Sequence, residues 1–250
     1  MKHIRTLILA LVLCSSAQAT KLSDAQAADE NYQQGKYSEA IEQYEKILAD
    51  GLTSPDLYYN LGNAYYRTAQ YGRAILNYER ALRLQPSMSD ARENLALANS
   101  KTVDRITPLP RLFLVNWYNA LITHLTPHTW SILLCLFFLL VGASLVLLLL
   151  SRSITTKKIS LAALILSGLL VLFTLFFLFK SSSFFNSHRE AVILDASVTV
   201  KSSPEIQSVD KLILHEGTKV SISESLSGWY KITLADGTSG WCQDDAVERI

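Results

Sequence analysis

The sequence predicts a multidomain membrane protein in three parts: an all-α helical-repeat array, a transmembrane α-hairpin and a small all-β barrel. Three observations carry that reading. All 22 acidic residues lie outside the stretch Ile106–Arg189. The segment before that stretch repeats with a period of 34 residues. The segment after it alternates with period two, the side-chain repeat of a strand.

Composition supports a segregated chain. Of 250 residues, 49% are hydrophobic and only 18% charged, against about 25% charged in an ordinary globular domain. With the acids confined to the two ends, neither a uniform soluble globule nor a large disordered chain fits. A net charge of +1 gives no support to nucleic-acid binding.

Residues 1–19 read as a secretory signal peptide. Lys2 and Arg5 form a positive start, Leu7 to Leu13 a short apolar core, and Ala17-Gln18-Ala19 a small-x-small cleavage site. Cleavage after Ala19, or retention as an anchor, sends the following segment out of the cytoplasm. The three cysteines, Cys14, Cys135 and Cys242, form no CxxC, zinc-ligand or disulfide pattern.

Residues 21–107 carry helical periodicity and repeat. Tyr37 matches Tyr71, Ala40 matches Ala74, and Tyr44 matches Tyr78, each pair 34 apart. That is the tetratricopeptide (TPR) period, in which each repeat is an antiparallel helix pair. The second repeat places Tyr58, Leu61, Gly62 and Tyr65 on its first helix and Tyr71, Ala74, Tyr78 and Ala81 on its second, with Pro86 closing it. Gly62 and Ala74 are small where helices approach closely. A third helix from Asp90, its N-cap, to about Ser100 caps the stack. The TPR domain is thus two repeats plus a capping helix. At least about three repeats are usually needed for stability, so a partner, a second copy or the membrane is expected to complete it.

TPR arrays bind peptides or protein segments in a concave groove lined by the first helix of each pair. The groove candidates here are Asp29, Tyr32, Tyr59, Asn63, Tyr66 and Arg67. Asn63 aligns with an asparagine that clamps C-terminal carboxylates in some TPRs, but most basic partners of that clamp are missing. A merely solvated inner face is the competing reading.

Pro108 and Pro110 end this segment. Residues 111–125 suit a juxtamembrane helix in the interface, with Trp117 and Tyr118 at headgroup level and Asn116, Asn119, Thr123 and His124 on one side. Two uncharged runs follow, 130–150 and 159–179. At 21 residues each they extend about 31 Å, close to a hydrocarbon core of about 30 Å. The loop 151–158 carries Arg152, Lys157 and Lys158, which places it in the cytoplasm by the positive-inside rule. Lys180 and Arg189 pull more weakly the other way. Gly142-Ala143-Ser144 and Ser167-Gly168 offer sites of close helix approach. The spans hold no acidic residue, which disfavours a pump.

From Arg189 short strands are predicted at 191–193, 198–200, 219–222 and 229–232, with a hairpin turn at Asp236-Gly237. Gly217, Gly228-Trp229, Asp236-Gly237 and Gly240-Trp241 resemble the signature of a bacterial SH3 (SH3b) barrel over 189–250. Lys201, Ser203 and Cys242 depart from that signature. The resemblance implies wall-peptide or protein binding, with Trp229, Tyr230 and Trp241 as aromatic candidates. Packing of the barrel mouth is the alternative for the tryptophans. From Ser187 onward there are 6 basic and 10 acidic residues, a poor match to anionic wall polymers.

The histidines are scattered, and the chain lacks G-x-S-x-G, H-E-x-x-H and P-loop motifs. A non-catalytic chain without cofactor or metal is expected. In order and content the modules resemble the BatE-type family of bacterial aerotolerance proteins. That resemblance implies an inner-membrane protein with both domains in the periplasm. It also implies partnership with von Willebrand factor A-domain membrane proteins and a MoxR-type ATPase system. On these grounds the expected function is a non-catalytic membrane scaffold for protein–protein interaction. A cell-wall sensor or tether working through the SH3b module is the alternative.

Overall fold

The computed structural model of the chain describes residues 24–110, 112–187 and 189–250. The expected signal peptide and residues Arg111 and His188 lie outside the described residues. The chain forms two compact units, one from residues up to Leu109 with Arg189–Ile250, the other from Pro110–His188. The first unit therefore unites the two ends of the sequence.

The helical part of this unit runs α1 (24–33), α2 (Tyr37–Ala49), α3 (Pro55–Arg67), α4 (Tyr71–Leu84) and α5 (Ser89–Asn99). The start of α3 is set locally: Ser54 caps it by accepting the Leu57 N–H at 3.0 Å, and Pro55 holds its first turn. Ala28, Ala40, Ala64, Ala74 and Ala81 are fully buried where helices cross, and Tyr44, Leu61 and Tyr78 fill the space between. Asp90 is not the N-cap of α5. The helix begins at Ser89, Met88 stands at the cap without a side-chain bond, and Asp90 sits in the first turn, where its charge suits the positive helix end.

The other part of the unit is an antiparallel sheet of β1 (Glu190–Ile193), β2 (Ser197–Lys201), β3 (Asp210–His215), β4 (Lys219–Leu226), β5 (Trp229–Thr233), β6 (Ser239–Gln243) and β7 (Val247–Arg249), in the order β3-β2-β6-β5-β4-β1-β7. Its core holds Ala191, Ile193, Val200, Leu214, Val220, Ile232 and Cys242. Burial drives the Cys242 thiol up to about 11, which leaves it protonated and unreactive. Asp236-Gly237 forms the β5–β6 turn, with Gly237 at φ 87°.

The two parts meet along α4. Gln70 gives α4 no side-chain cap, and Glu216 supplies one from the sheet by accepting the Gly72 N–H at 2.7 Å. Lys219 reaches Glu79 of α4 at 2.9 Å and Glu190 of β1 at 3.0 Å. Its own desolvation pulls its pKa down, but the two carboxylates outweigh that and raise it. Arg80 donates to Glu248 and to the Arg249 carbonyl, and Arg83 to the Ile250 carbonyl. Val192 and Ile250 are buried in the same cluster as the helical core. Gly217 sits at φ 87°, where a Cβ would lie 2.5 Å from Thr102 and 2.9 Å from Ile75, so glycine alone fits this seam. After α5, Asp104 accepts the His215 N–H at 2.7 Å and the Thr218 hydroxyl at 2.6 Å. Burial pushes its carboxyl up, yet these bonds prevail and hold it below the ordinary value. Among the described residues the short array is thus completed by the C-terminal sheet of its own chain.

The second unit contains α6 (Phe113–His124), α7 (Pro127–Leu150) and α8 (Ile154–Asn186). Both α7 and α8 are long and apolar enough to cross a membrane. The expected loop 151–158 shrinks to the non-helical 151–153, because nothing in Ile154–Lys158 stops a helix and lysine favours one. The α8 face inside the unit carries Ser160, Ser167, Thr174 and Ser181, spaced by seven and all buried, so they recur along one face of the helix. Gly142 and Gly168 have no atom within 4 Å of an added Cβ, so they are not the points of close approach. Ser144 and Ser167 are buried instead. Ser181 donates to the Ile122 and Leu125 carbonyls at the end of α6, and Trp130 stacks on Phe177 at 5.2 Å.

Reversing the cation at the α4–sheet seam tests this arrangement. Lys219→Glu is expected to lower stability by about 1.5–3 kcal/mol, the range for a charged hydrogen bond, and to speed proteolytic release of the C-terminal sheet. Adding Glu79→Lys to it should recover at least half of the loss. Thermal unfolding and limited proteolysis of the purified chain read both effects.

Candidate functional site

The repeat spacing brings one set of side chains to a cleft on the inner face of the array. Tyr59, Asn63, Tyr66 and Arg67 lie at helical intervals on one face of α3, and Tyr32 comes from α1. Tyr78 of α4 and Asn94 and Leu97 of α5 complete the lining of about 360 Å³.

The cleft is braced from behind by hydrogen bonds. Asn63 Oδ1 accepts the Tyr78 hydroxyl and the Asn94 amide, both at 2.8 Å. Asn94 also donates to the Tyr59 hydroxyl at 3.3 Å. Burial, with neighbouring tyrosines, raises the Tyr78 pKa, so that hydroxyl stays a donor. Tyr78 reaches Asn63 because Gly62 lets its ring lie against α3. A Cβ on Gly62 would stand 2.7 Å from the ring. Tyr32 and Tyr66 are each held edge-on by the first tyrosine of the following helix, Tyr37 at 5.3 Å and Tyr71 at 5.6 Å. Arg67 lies beside Tyr32, whose phenol raises its pKa, and among the described lining residues it carries the only formal charge.

Five of the six residues predicted for the groove line this cleft, and Asp29 does not. Its carboxylate accepts the Tyr44 hydroxyl at 2.5 Å and the Asn60 amide at 3.1 Å, so it ties α1 to α2 and α3. Burial and then this bond raise the Tyr44 pKa. Sequence reading missed Tyr78, Asn94 and Leu97. The signal for α5 was present, since Asn94 and Leu97 stand 34 residues after Asn60 and Asn63 and mark an unfinished third repeat. The repeat pattern marks Tyr78 only as a packing position.

The three aromatics of the C-terminal sheet do not form one site. Tyr230 pairs with buried Cys242 and packs against the sheet core, with the Arg249 guanidinium 5.0 Å from its ring. Trp229 and Trp241 lie on the opposite face, because side chains alternate along a strand. Trp241 stands beside Lys231, whose ammonium is 5.8 Å from its ring. Trp229 lines a separate cavity of about 220 Å³ with Ser197, Thr199, Lys201 and Ile206.

Two family models match the chain, the TPR repeat over residues 28–68 and the tetratricopeptide repeat over residues 55–88. None of the curated proteins compared with the chain matches it. Residues 28–88 are therefore TPR repeats, and TPR repeats imply protein–protein interaction.

The packing of Gly62 under Tyr78 gives a prediction of sign. Helix propensity alone would make Gly62→Ala stabilising by about 1 kcal/mol. Here the added methyl meets an immobile ring, and the variant is expected to lose about 1–3 kcal/mol. Denaturant unfolding of the purified chain distinguishes the two.

Proposed function

We propose that the protein is a non-catalytic membrane scaffold whose TPR groove holds a segment of a partner protein. One observation carries the topology. The TPR array and the C-terminal sheet pack on each other through α4, so both must occupy one side of any membrane that the intervening helices cross. Two spans meet that requirement, and one span does not. Arg152, Lys157 and Lys158 next to the α7–α8 connection favour the cytoplasm for that turn, which puts the TPR array and the sheet in the periplasm of a bacterial inner-membrane protein. The exposed apolar side chains of α6, among them Phe113, Leu114 and Trp117, suit a helix lying in the interface.

The groove has the character of a binding surface. It is concave, aromatic and anchored by bonds that hold its shape without a ligand, which lowers the ordering cost of binding. Membership of an aerotolerance complex with von Willebrand A-domain proteins rests on the resemblance of module order to the BatE-type family. The C-terminal sheet is read as an SH3b domain. A second reading, a cell-wall tether, draws on the cavity beside Trp229, which the contact with α4 leaves open.

Capture of partners from solubilised membranes by the tagged full chain tests the scaffold. Tyr66→Ala with Arg67→Glu is expected to reduce recovery of the captured membrane protein by about tenfold or more, about 1.4 kcal/mol of binding, while the circular dichroism stays unchanged. Undiminished recovery would contradict the groove assignment. Recovery only of wall fragments, lost on Trp229→Ala, would favour the tether.

A further inference from the structure

The groove's lining restricts what segment it can hold, an argument that rests on the scaffold reading. Tyr32 and Tyr66 occupy the same place in successive repeats, 34 residues apart. Each ring is fixed in the same attitude, edge-on to its neighbour at interplanar angles of 62° and 64°. They project from α1 and α3, which are in direct contact through Asn60 and Asp29. Helices packed in this way lie about 8–10 Å apart. A polyproline II chain advances about 3.1 Å per residue with three residues per turn, so its positions i and i+3 recur about every 9 Å. Two rings carried on helices one helix spacing apart thus match two prolines at i and i+3.

The polar groups agree with that occupant. A polyproline II backbone makes no internal hydrogen bonds and presents its carbonyls outward. The groove offers phenol hydroxyls to them. Tyr59 accepts from Asn94, which leaves its own proton to donate. An amphipathic helix needs an aliphatic trough, yet among the described residues Leu97 is the one aliphatic side chain in the lining. A strand needs an open sheet edge, and this groove is built from helices. Among the described residues Arg67 is the sole charge lining the cleft, so an acidic side chain is the matching charge. The chain's own Pro108–Pro110 stretch is engaged elsewhere, where the Leu109 N–H donates to the Ala235 carbonyl at 3.2 Å.

We propose that the groove formed by Tyr32, Tyr59, Tyr66 and Arg67 binds an extended, proline-containing segment of a partner protein, with prolines at i and i+3 and an acidic residue beside them. Such segments are already stiff, so little order is lost on docking.

Fluorescence anisotropy with the full chain in detergent tests this. The probe is a labelled synthetic peptide containing Ala-Pro-Glu-Ala-Pro-Ala. The controls replace both prolines by alanine, place them at i and i+2, or change the glutamate to glutamine. Both proline controls are expected to bind about tenfold more weakly. The glutamine peptide and Arg67→Gln should each weaken binding severalfold, with no further loss when combined. Tyr66→Leu, which keeps the bulk of the side chain, should weaken the proline peptide about tenfold and leave the proline-free control unchanged. Equal binding of the proline-free peptide would overturn the proposal. If no peptide binds while Tyr66→Ala with Arg67→Glu still abolishes partner capture, the proline assignment fails and the groove stands. If capture also survives, both fail.

Discussion

The contact between α4 and the C-terminal sheet is the constraint on which the rest of the structure depends. It joins groups about 140 residues apart in sequence, the Glu79 and Lys219 side chains and the Gly72 N–H with the Glu216 carboxylate, with two apolar helices between them. A two-repeat array has one helix face too many for its size. Here that face is buried on Val192 and Ile250, and the charged groups around it are paired. The array is stable as a short unit because the same chain returns to cover it.

That arrangement places α4 between two surfaces. One side gives Tyr78 to the back of the groove, and the other holds the sheet through Ile75, Glu79 and Arg80. Occupation of the groove and docking of the sheet therefore act on one helix. Any difference in the groove's affinity between docked and undocked states is matched by an equal change in docking. On the proposed scaffold function, the groove and the sheet are thus energetically joined through α4.

Much of this was legible in the sequence where the information is local or periodic. The 34-residue repeat located the helix pairs, and the groove positions on α3 followed from helical spacing. The apolar runs found α7 and α8, though not their ends, since lysines at 157 and 158 continue a helix as readily as they mark a loop. What was hidden was long-range. Nothing local to Glu216, Lys219 and Glu248 points to α4, because the groups that pair with them there are remote in sequence. Asp29 was placed in the groove by alignment, yet tyrosine and asparagine neighbours turn it inward. Tyr230 was grouped with two tryptophans by composition, although strand alternation puts it on the other face.

The most direct test of the account is zero-length carbodiimide coupling of the full chain in native membranes, followed by mass spectrometry. This chemistry joins an amine to a carboxylate only when they are in contact. Lys219 has two such neighbours, Glu190 within the sheet and Glu79 on α4. The account predicts a Glu79–Lys219 linkage alongside the local one. Recovery of the Glu190–Lys219 linkage alone would show that the reaction worked and that the two ends of the chain are apart.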